Sequence, residues 1–401
     1  MTTPWAISTL GKVCEWITQG PNPKYDKSGQ DEFRVLKTKD LYDDVIHYDS
    51  ADRISKNVFS QHLRTELETG DVLIAIVGQG SINKCNVFEK REGVRFIFTR
   101  ALGLLRPNRQ YLDSYFLKYF LQSSAGKELI DSGIAGTSGQ QVVTTTHLKS
   151  LQISVPPLSE QHRIVGILDE AFDGLACATA NAEQNLRNAR ALFESHLQSV
   201  FMNKMWKMSA LGDLCTGVEY GSSAKSKNEG KIPVLRMGNI QDGRFDWGDL
   251  VYTDDEAEIV RYQLEHNDVL FNRTNSPELV GKTAIYKSER PAIFAGYLIR
   301  IRRRKELLDA DYLNYFLNSR IAFDYGKTVV ISSVNQANIN GTKLKTYPIP
   351  TPSLAEQKDI VAELDALVAE TQRLESIYQQ KLAALAELKK SLLHQAFSGK
   401  L

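Results

Sequence analysis

The sequence predicts an α+β chain built as a pseudo-twofold tandem repeat: two globular mixed α/β domains separated by two long helices that form an antiparallel coiled coil. Three observations carry this. The chain repeats itself at a fixed displacement, each repeat ends in an uninterrupted helical apolar stripe, and the region before each stripe holds strand-like runs broken by Gly and Asn turns.

The repeat comes first because it determines how everything else is read. Leu158-Ser159-Glu160-Gln161 recurs as Leu354-Ala355-Glu356-Gln357, and Ile164, Leu168, Asp169, Leu192, Leu197 and Phe201 recur as Ile360, Leu364, Asp365, Leu388, Leu393 and Phe397, all displaced by 196 residues. Upstream, with small insertions, Gly70-Asp71-Val72-Leu73 faces Asn267-Asp268-Val269-Leu270, and Tyr119-Phe120-Leu121 faces Tyr315-Phe316-Leu317. Residues 15–69 and 216–266 differ greatly. One scaffold is therefore expected to carry two different surfaces, divided as 1–155, 156–205, 206–351 and 352–401.

The helical stretches follow from spacing. Val361, Leu364, Val368, Thr371, Leu374, Tyr378, Leu382, Leu385, Leu388 and Leu392 lie three or four apart with no Gly or Pro between the first and last, and one stutter falls near Lys381. Pro352 precedes a capping box, Ser353-Leu354-Ala355-Glu356. The first copy runs through Ile164, Leu168, Phe172, Leu175, Ala182, Leu186, Ala189, Phe193, Leu197 and Val200, with Gly166 and Gly174 predicting slightly less regularity. Helices of about 45 residues would be roughly 65–70 Å long. A single stripe of that length needs a partner, and its own copy, antiparallel, satisfies both; a coiled coil between two chains is the alternative. In the globular segments Val72–Val77, Arg95–Phe98 and Tyr297–Ile301 read as strands, and Leu112–Ser123 and Tyr312–Ser319 as short helices.

Composition narrows the function. The 401 residues carry 49 Lys and Arg against 48 Asp and Glu, so no global field marks a nucleic-acid or membrane binder. The helical segments hold about −3 and the globular segments about +4 of this charge. No run of about 18 apolar residues occurs and the first residues lack a signal-peptide pattern, so a cytoplasmic protein with no membrane association is expected. Cys14, Cys85, Cys177 and Cys215 are scattered, which predicts four reduced thiols and no zinc site.

Catalytic signatures are missing. Gly78-Gln79-Gly80 is followed by Ser81-Ile82-Asn83, which fails the dinucleotide pattern, and Leu279-Val280-Gly281-Lys282-Thr283 resembles the end of a P-loop whose first glycine is replaced by Ser276. No amino-methyltransferase motif, metal-spaced histidines or nucleophile elbow occurs. What remains are polar loops at matching places. Arg273, Thr274, Asn275, Ser276 and Lys282 follow one strand, and Gln79, Ser81, Asn83 and Lys84 follow its counterpart. Gln140 and Gln141 in one half, with Asn335 and Gln336 in the other, form a second tier. Arg suits the major-groove edge of guanine, Asn and Gln that of adenine, and Ser, Thr and Lys suit phosphates. Arg300 to Lys305 adds five basic residues out of six.

With the duplicated Pro-x-Leu-[Ser/Ala]-Glu-Gln helix starts at 156–161 and 352–357, the stretch from Asp268 to Thr283 and the terminal segment Leu382–Leu401, the chain resembles the specificity (S) subunit of a type I restriction–modification system. The resemblance implies a non-catalytic subunit with two target-recognition domains, 1–155 and 206–351, each reading one half of an asymmetric bipartite site in double-stranded DNA, with the helices setting the spacer. It also implies partners: two modification (methyltransferase) subunits, and restriction (motor-nuclease) subunits. It implies no cofactor on this chain, with S-adenosylmethionine, ATP and Mg on the partners. A coiled-coil adaptor or scaffold that binds no DNA is the rival reading; it explains the helices but not the divergence confined to corresponding globular segments.

Overall fold

Val72-Leu73-Ile74-Ala75 is apolar at every position, the pattern of a strand covered on both faces, and the computed structural model bears this out with all four side chains buried. The structure describes residues 5–24, 29–136, 141–202, 205–276, 279–333 and 336–401. Val72 and Ile74 face one core, with Phe116, Leu117 and Leu121 of a helix, while Leu73 and Ala75 face another, with Phe88, Phe96 and Phe98. In the second copy Val269 and Phe271 pack beside Leu313, Phe316 and Leu317, and Leu270 turns to Leu235, Ala284 and Phe294.

The chain folds as two compact units, one of residues 1–183 and 380–401, the other of residues 184–379. In the first, a four-stranded antiparallel sheet runs Cys14–Gln19, Leu102–Pro107, Val72–Ala75, Cys85–Val87. A three-stranded sheet runs Asp52–Ile54, Gln30–Leu36, Arg95–Phe98, its last pair parallel. The second unit repeats both, as Cys215–Tyr220, Leu298–Arg303, Val269–Asn272, Thr283–Ile285 and as Val251–Thr253, Ile232–Leu235, Ile293–Phe294, again with a parallel last pair. Register also repeats: Val72 pairs with Leu105 and Val269 with Ile301, and each first strand is bulged, at Cys14/Trp16 and Cys215/Gly217. The segments that diverge in sequence thus share one topology.

Local signals repeat where the backbone demands them. The turn into each central strand needs a positive φ, met by Gly70 (90°) in one copy and Asn267 (72°) in the other, both residue types that tolerate it. Asp71 and Asp268 close that turn by accepting from Glu68 N and Glu265 N at 2.8 and 2.9 Å. Asp113 and Asp309 cap the helices Ser114–Gln122 and Ala310–Leu317, close to the predicted spans. Ser123 and Ser319 then cap a second helix in each copy, Ser124–Asp131 and Arg320–Val329, which the sequence analysis had not singled out.

Both long helices are observed, Leu158–Phe201 and Leu354–Phe397, each of 44 residues and without a break. Gly166 and Gly174 do not interrupt the first, because they lie on its exposed side with open space around them while the opposite side is packed. The capping box is formed: Ser353 N donates to Glu356 Oε2 at 2.9 Å and Glu356 N to Ser353 Oγ at 3.3 Å. In the first unit Arg163 reaches the Leu401 carbonyl (2.8 Å) and Lys389 Nζ lies 5.1 Å from the Phe172 ring centre. In the second, Arg190 Nε is 2.8 Å from Glu375 Oε1, and Phe193, Leu197 and Phe201 share a core with Ile360, Val361 and Leu364. Rising numbers on one helix meet falling numbers on the other, so within each unit the segments run antiparallel. One stripe position is corrected: Leu388 is 46 % exposed and the inward place is taken by the half-buried Lys389.

Helix ends complete the cores. Phe397 lies 5.1 and 5.7 Å from the rings of Phe116 and Phe120, and Phe201 lies 5.3 and 5.2 Å from those of Tyr312 and Phe316. All four cysteines are free, Cys177 alone being exposed, and burial pushes the Cys14 thiol up to about 12. No helix among the described residues is long and apolar enough to cross a membrane.

Phe201→Ala is expected to lower stability by about 3–5 kcal/mol in urea unfolding, whereas Leu192→Ala, on the exposed side of the same helix, should stay within about 0.5 kcal/mol.

Candidate nucleic-acid interface

In both units the central strand runs straight into a polar loop, and the chain returns beside that loop just before a short helix. In the second unit Thr274–Asn275 pairs antiparallel with Gln336–Asn338, which also pairs with Ile331–Ser333. Ile339 N donates to Arg273 O at 2.9 Å. In the first, Val77 bridges to Val142, Gly78 N donates to Gln141 O at 3.0 Å and Val143 N to Ile76 O at 2.9 Å. Gln141 in one unit and the backbone of Gln336 in the other, far from the first-tier candidates in sequence, therefore lie beside them.

Arg273 sits at the centre of the second cluster. Its guanidinium lies 4.9 Å from the ring centre of Tyr220, its Nη1 donates to Gly296 O at 3.3 Å, and its Nε is buried without a hydrogen-bond partner. Tyr220 is in turn held by Gly341 N, which donates to its hydroxyl at 2.8 Å, and remains 43 % exposed. A stacked guanidinium with donor capacity left over is poised to accept a planar acceptor edge. Register puts Ile76 at this position in the other unit: Ile76 N donates to Ala101 O and Arg273 N to Tyr297 O, both at 3.0 Å. Ile76 is buried. The two clusters therefore share a backbone and differ in what they present.

The other candidates divide. Asn275 and Ser276 are half-buried, with Ser276 N donating to Asn275 Oδ1 at 2.9 Å, and Lys282 is half-buried. Thr274 is a correction, since it is buried and its hydroxyl accepts from Asn338 Nδ2 at 2.8 Å, which gives it a packing role. Gln79 is exposed and Ser81 and Gln141 half-exposed. Asn83, at φ 78°, donates from Nδ2 to Asp131 Oδ1 at 2.7 Å, so it shapes the loop, and Lys84 Nζ lies 4.6 Å from the Tyr42 ring centre. Gln140 and Asn335 fall outside the described residues, and for Gln336 only the backbone is described. Tyr220 and Tyr42 were not among the candidates; a lone tyrosine carries no sequence signal for such a role.

The basic run at 300–305 is a second correction. Arg300 is 2 % exposed, donating through Nη2 to Glu219 Oε2 at 2.5 Å and through Nη1 to Asp268 Oδ2 at 3.1 Å, while Arg302 Nε donates to Glu219 Oε1 at 3.0 Å. Arg303 Nη1 donates to the Leu308 carbonyl at 2.9 Å. Only Arg304 and Lys305 are exposed. Burial pulls the Glu219 carboxyl up, but the guanidiniums of Arg302 and Arg300 outweigh it and leave it below the usual glutamate range. The first unit places Leu104 and Thr18 where the second has Arg300 and Glu219, and pairs Asp71 with a single arginine, Arg106, at 2.7 and 2.8 Å.

The stretch that resembles a P-loop leads from Gly281 (φ 96°) through Lys282 into the strand Thr283–Ile285, whereas a phosphate nest of that kind needs a helix N-terminus there. Among the described residues no group of three or more His, Cys, Asp or Glu could hold a metal ion.

The duplicated scaffold thus offers two unlike polar clusters on one shared backbone. The sequence profile of the "Type I restriction modification DNA specificity domain" matches residues 3–185 and again 203–383, so the chain belongs to that family and carries its domain twice. It is a DNA sequence-recognition subunit, and specificity subunits are not themselves catalysts. It is similar to the type I restriction enzyme EcoKI specificity subunit of Escherichia coli K12, 27% identical over 322 residues that span 76% of this chain and 69% of that one. Similarity to the StySPI specificity subunit of Salmonella potsdam is 24% over 419 residues, 99% of this chain and 89% of the other. In fold it matches a chain solved in work on complex assembly and conformational transition of the type I R-M system, with a TM-score of 0.80 at 22% identity, covering 100% of this chain and 99% of that one.

Arg300→Ala, which strips Asp268 and Glu219 of a partner, is expected to destabilise the protein by about 3 kcal/mol. The pair Arg300→Leu with Glu219→Thr, the residues of the other unit, should recover most of that loss in the same melts. Because Glu219 is held low by its arginines, its contribution is present at neutral pH and is lost as pH falls through its folded value. The acid side of the stability profile should therefore be steeper in wild type than in the pair.

Proposed function

We propose that each polar cluster reads one half of an asymmetric bipartite site in double-stranded DNA, and that the long helices set the distance between the halves. The observation that carries this is the pair Arg273 and Ile76, one backbone position that holds a stacked guanidinium in one unit and a buried aliphatic side chain in the other. Readers that differ at such a position select different sequences. Arg273 is assigned a base-edge contact, supported by Tyr220. Asn275, Ser276 and Lys282 are assigned to the same half-site, and Gln79, Ser81, Lys84 and Gln141 to the other.

The chain works with two modification subunits that methylate adenine with S-adenosylmethionine, and with restriction subunits that use ATP and Mg; cofactors belong to these partners and this chain holds none. The assembly acts in the cytoplasm. A net charge of +1 is sufficient if the modification subunits supply much of the phosphate clamp.

Methylome sequencing of cells expressing the chain with its co-encoded modification subunit, with and without the S chain, tests the proposal. The expected result is a new adenine-methylation motif that depends on the S chain, is asymmetric and has a fixed gap. A soluble complex that yields no motif would overturn it. Arg273→Ala should relax one position of one half-site by about 1–3 kcal/mol of discrimination, and Tyr220→Ala the same position by less. A uniform loss across sequences would make Arg273 a phosphate contact instead.

A further inference from the structure

The junction between each reading head and its long helix is tied by the same bonds in both units. Gln161 is fully buried; its Oε1 accepts from Asp113 N at 2.8 Å, and its Nε2 donates to the carbonyls of Tyr111 (2.8 Å) and Pro156 (2.7 Å). Gln357 is equally buried and repeats every bond, accepting from Asp309 N at 2.8 Å and donating to the carbonyls of Leu307 and Pro352, both at 3.0 Å. One amide thus joins the first turn of the long helix to the linker before it and to the loop that starts the head's own helix. A second tie lies further along. Tyr119 donates to Asp169 Oδ1, and Tyr315 to Asp365 Oδ1 at 2.5 Å.

These bonds do more than begin a helix. The second long helix is already capped by Ser353 and Glu356, so Gln357 is not needed for that purpose, and its three side-chain partners all lie outside the helix. A single tie is a pivot, about which a head can rock. Two ties, eight residues and about 12 Å apart along a helix, define a direction. Burial and the neighbouring carboxylate push the Tyr119 and Tyr315 phenols up, so both hydroxyls remain donors at neutral pH.

We infer that Gln161 with Tyr119 and Asp169, and Gln357 with Tyr315 and Asp365, are positioning residues for spacer discrimination: they fix the angle of each head on its helix, so that half-sites one base pair too close or too far apart are rejected. The inference rests on the bipartite reading proposed above. Changing the spacer by one base pair moves a half-site by about 3.4 Å and turns it by about a tenth of a turn. A head that could rock would follow part of that displacement. None of these residues belongs to the polar clusters, so half-site preference should not depend on them.

The test uses the complex of the full chain with its modification subunit, acting on duplexes that carry the motif found by methylation sequencing. The duplexes have the native spacer, a spacer one base pair shorter or longer, or one changed half-site base. For Gln161→Leu, and for Tyr119→Phe combined with Tyr315→Phe, the methylation rate on altered spacers relative to the native one should rise about three- to ten-fold. Discrimination against the changed base should stay at its wild-type value. An equal fall on every duplex, as a merely structural role predicts, would overturn the inference, and so would an unchanged spacer ratio. If Gln161→Leu fails to fold, the tyrosine pair, which removes one hydroxyl from each unit, decides by the same ratio. Wild-type complex with no bipartite motif would overturn the underlying reading before any variant is compared.

Discussion

A phenylalanine near the end of each long helix fills an aromatic notch that its own repeat does not supply. Phe397 enters between Phe116 and Phe120, and Phe201 closes on Tyr312 and Phe316. Without that ring, each head would expose the apolar side of its first helix to water, and a cost of about 3–5 kcal/mol is a sizeable fraction of the net stability of a domain. Each core therefore contains the start of one helix and the end of the other. An antiparallel arrangement within each unit follows at once, since the segment that begins at a head must meet a segment that ends there.

On this frame the two copies have diverged in chemistry and kept their backbone. The turn before the central strand accepts Gly70 or Asn267 because either tolerates a positive φ. A buried Asp40 and a buried Asn239 make the same contacts to the backbone three residues before them, Lys37 N and Arg236 N, at 2.9 and 2.8 Å. In the strand beside it, Leu104 and Thr18 give way to the ion pair of Arg300 and Glu219 at the same register. Recognition can change under such conditions with little effect on architecture, as Ile76 and Arg273 illustrate, because the strand pairing that holds the loop is made by main-chain atoms.

Much of the scaffold was legible in the sequence. The helix starts, the two helical stripes and the central strands leave strong periodic or repeated signals, and the glutamine of the repeated Leu-x-Glu-Gln motif proves to be the buried amide that ties head to helix. The candidate sites were less legible. Residue type nominated Thr274 and the arginines at 300–303, yet these satisfy internal partners, because hydroxyls and guanidiniums serve a buried network as well as a ligand. Leu388 fits a helical stripe on spacing and still lies outward, since small shifts in helix phase decide which of two neighbouring positions faces the partner.

The sequence by itself determined that the protein is one unit made twice, that each unit ends in a long helix, and that the loops after the central strands differ between copies. Those properties reside in periodicity and repetition along the chain. Only the tertiary structure decided that residues 141 and 336–339 return beside the loops at 78 and 273, that Tyr220 holds the guanidinium of Arg273, and that a three-stranded sheet with a parallel edge underlies both divergent segments. Such facts depend on which distant main-chain donors and acceptors pair, and a side chain's neighbours across a sheet leave no trace in its neighbours along the chain.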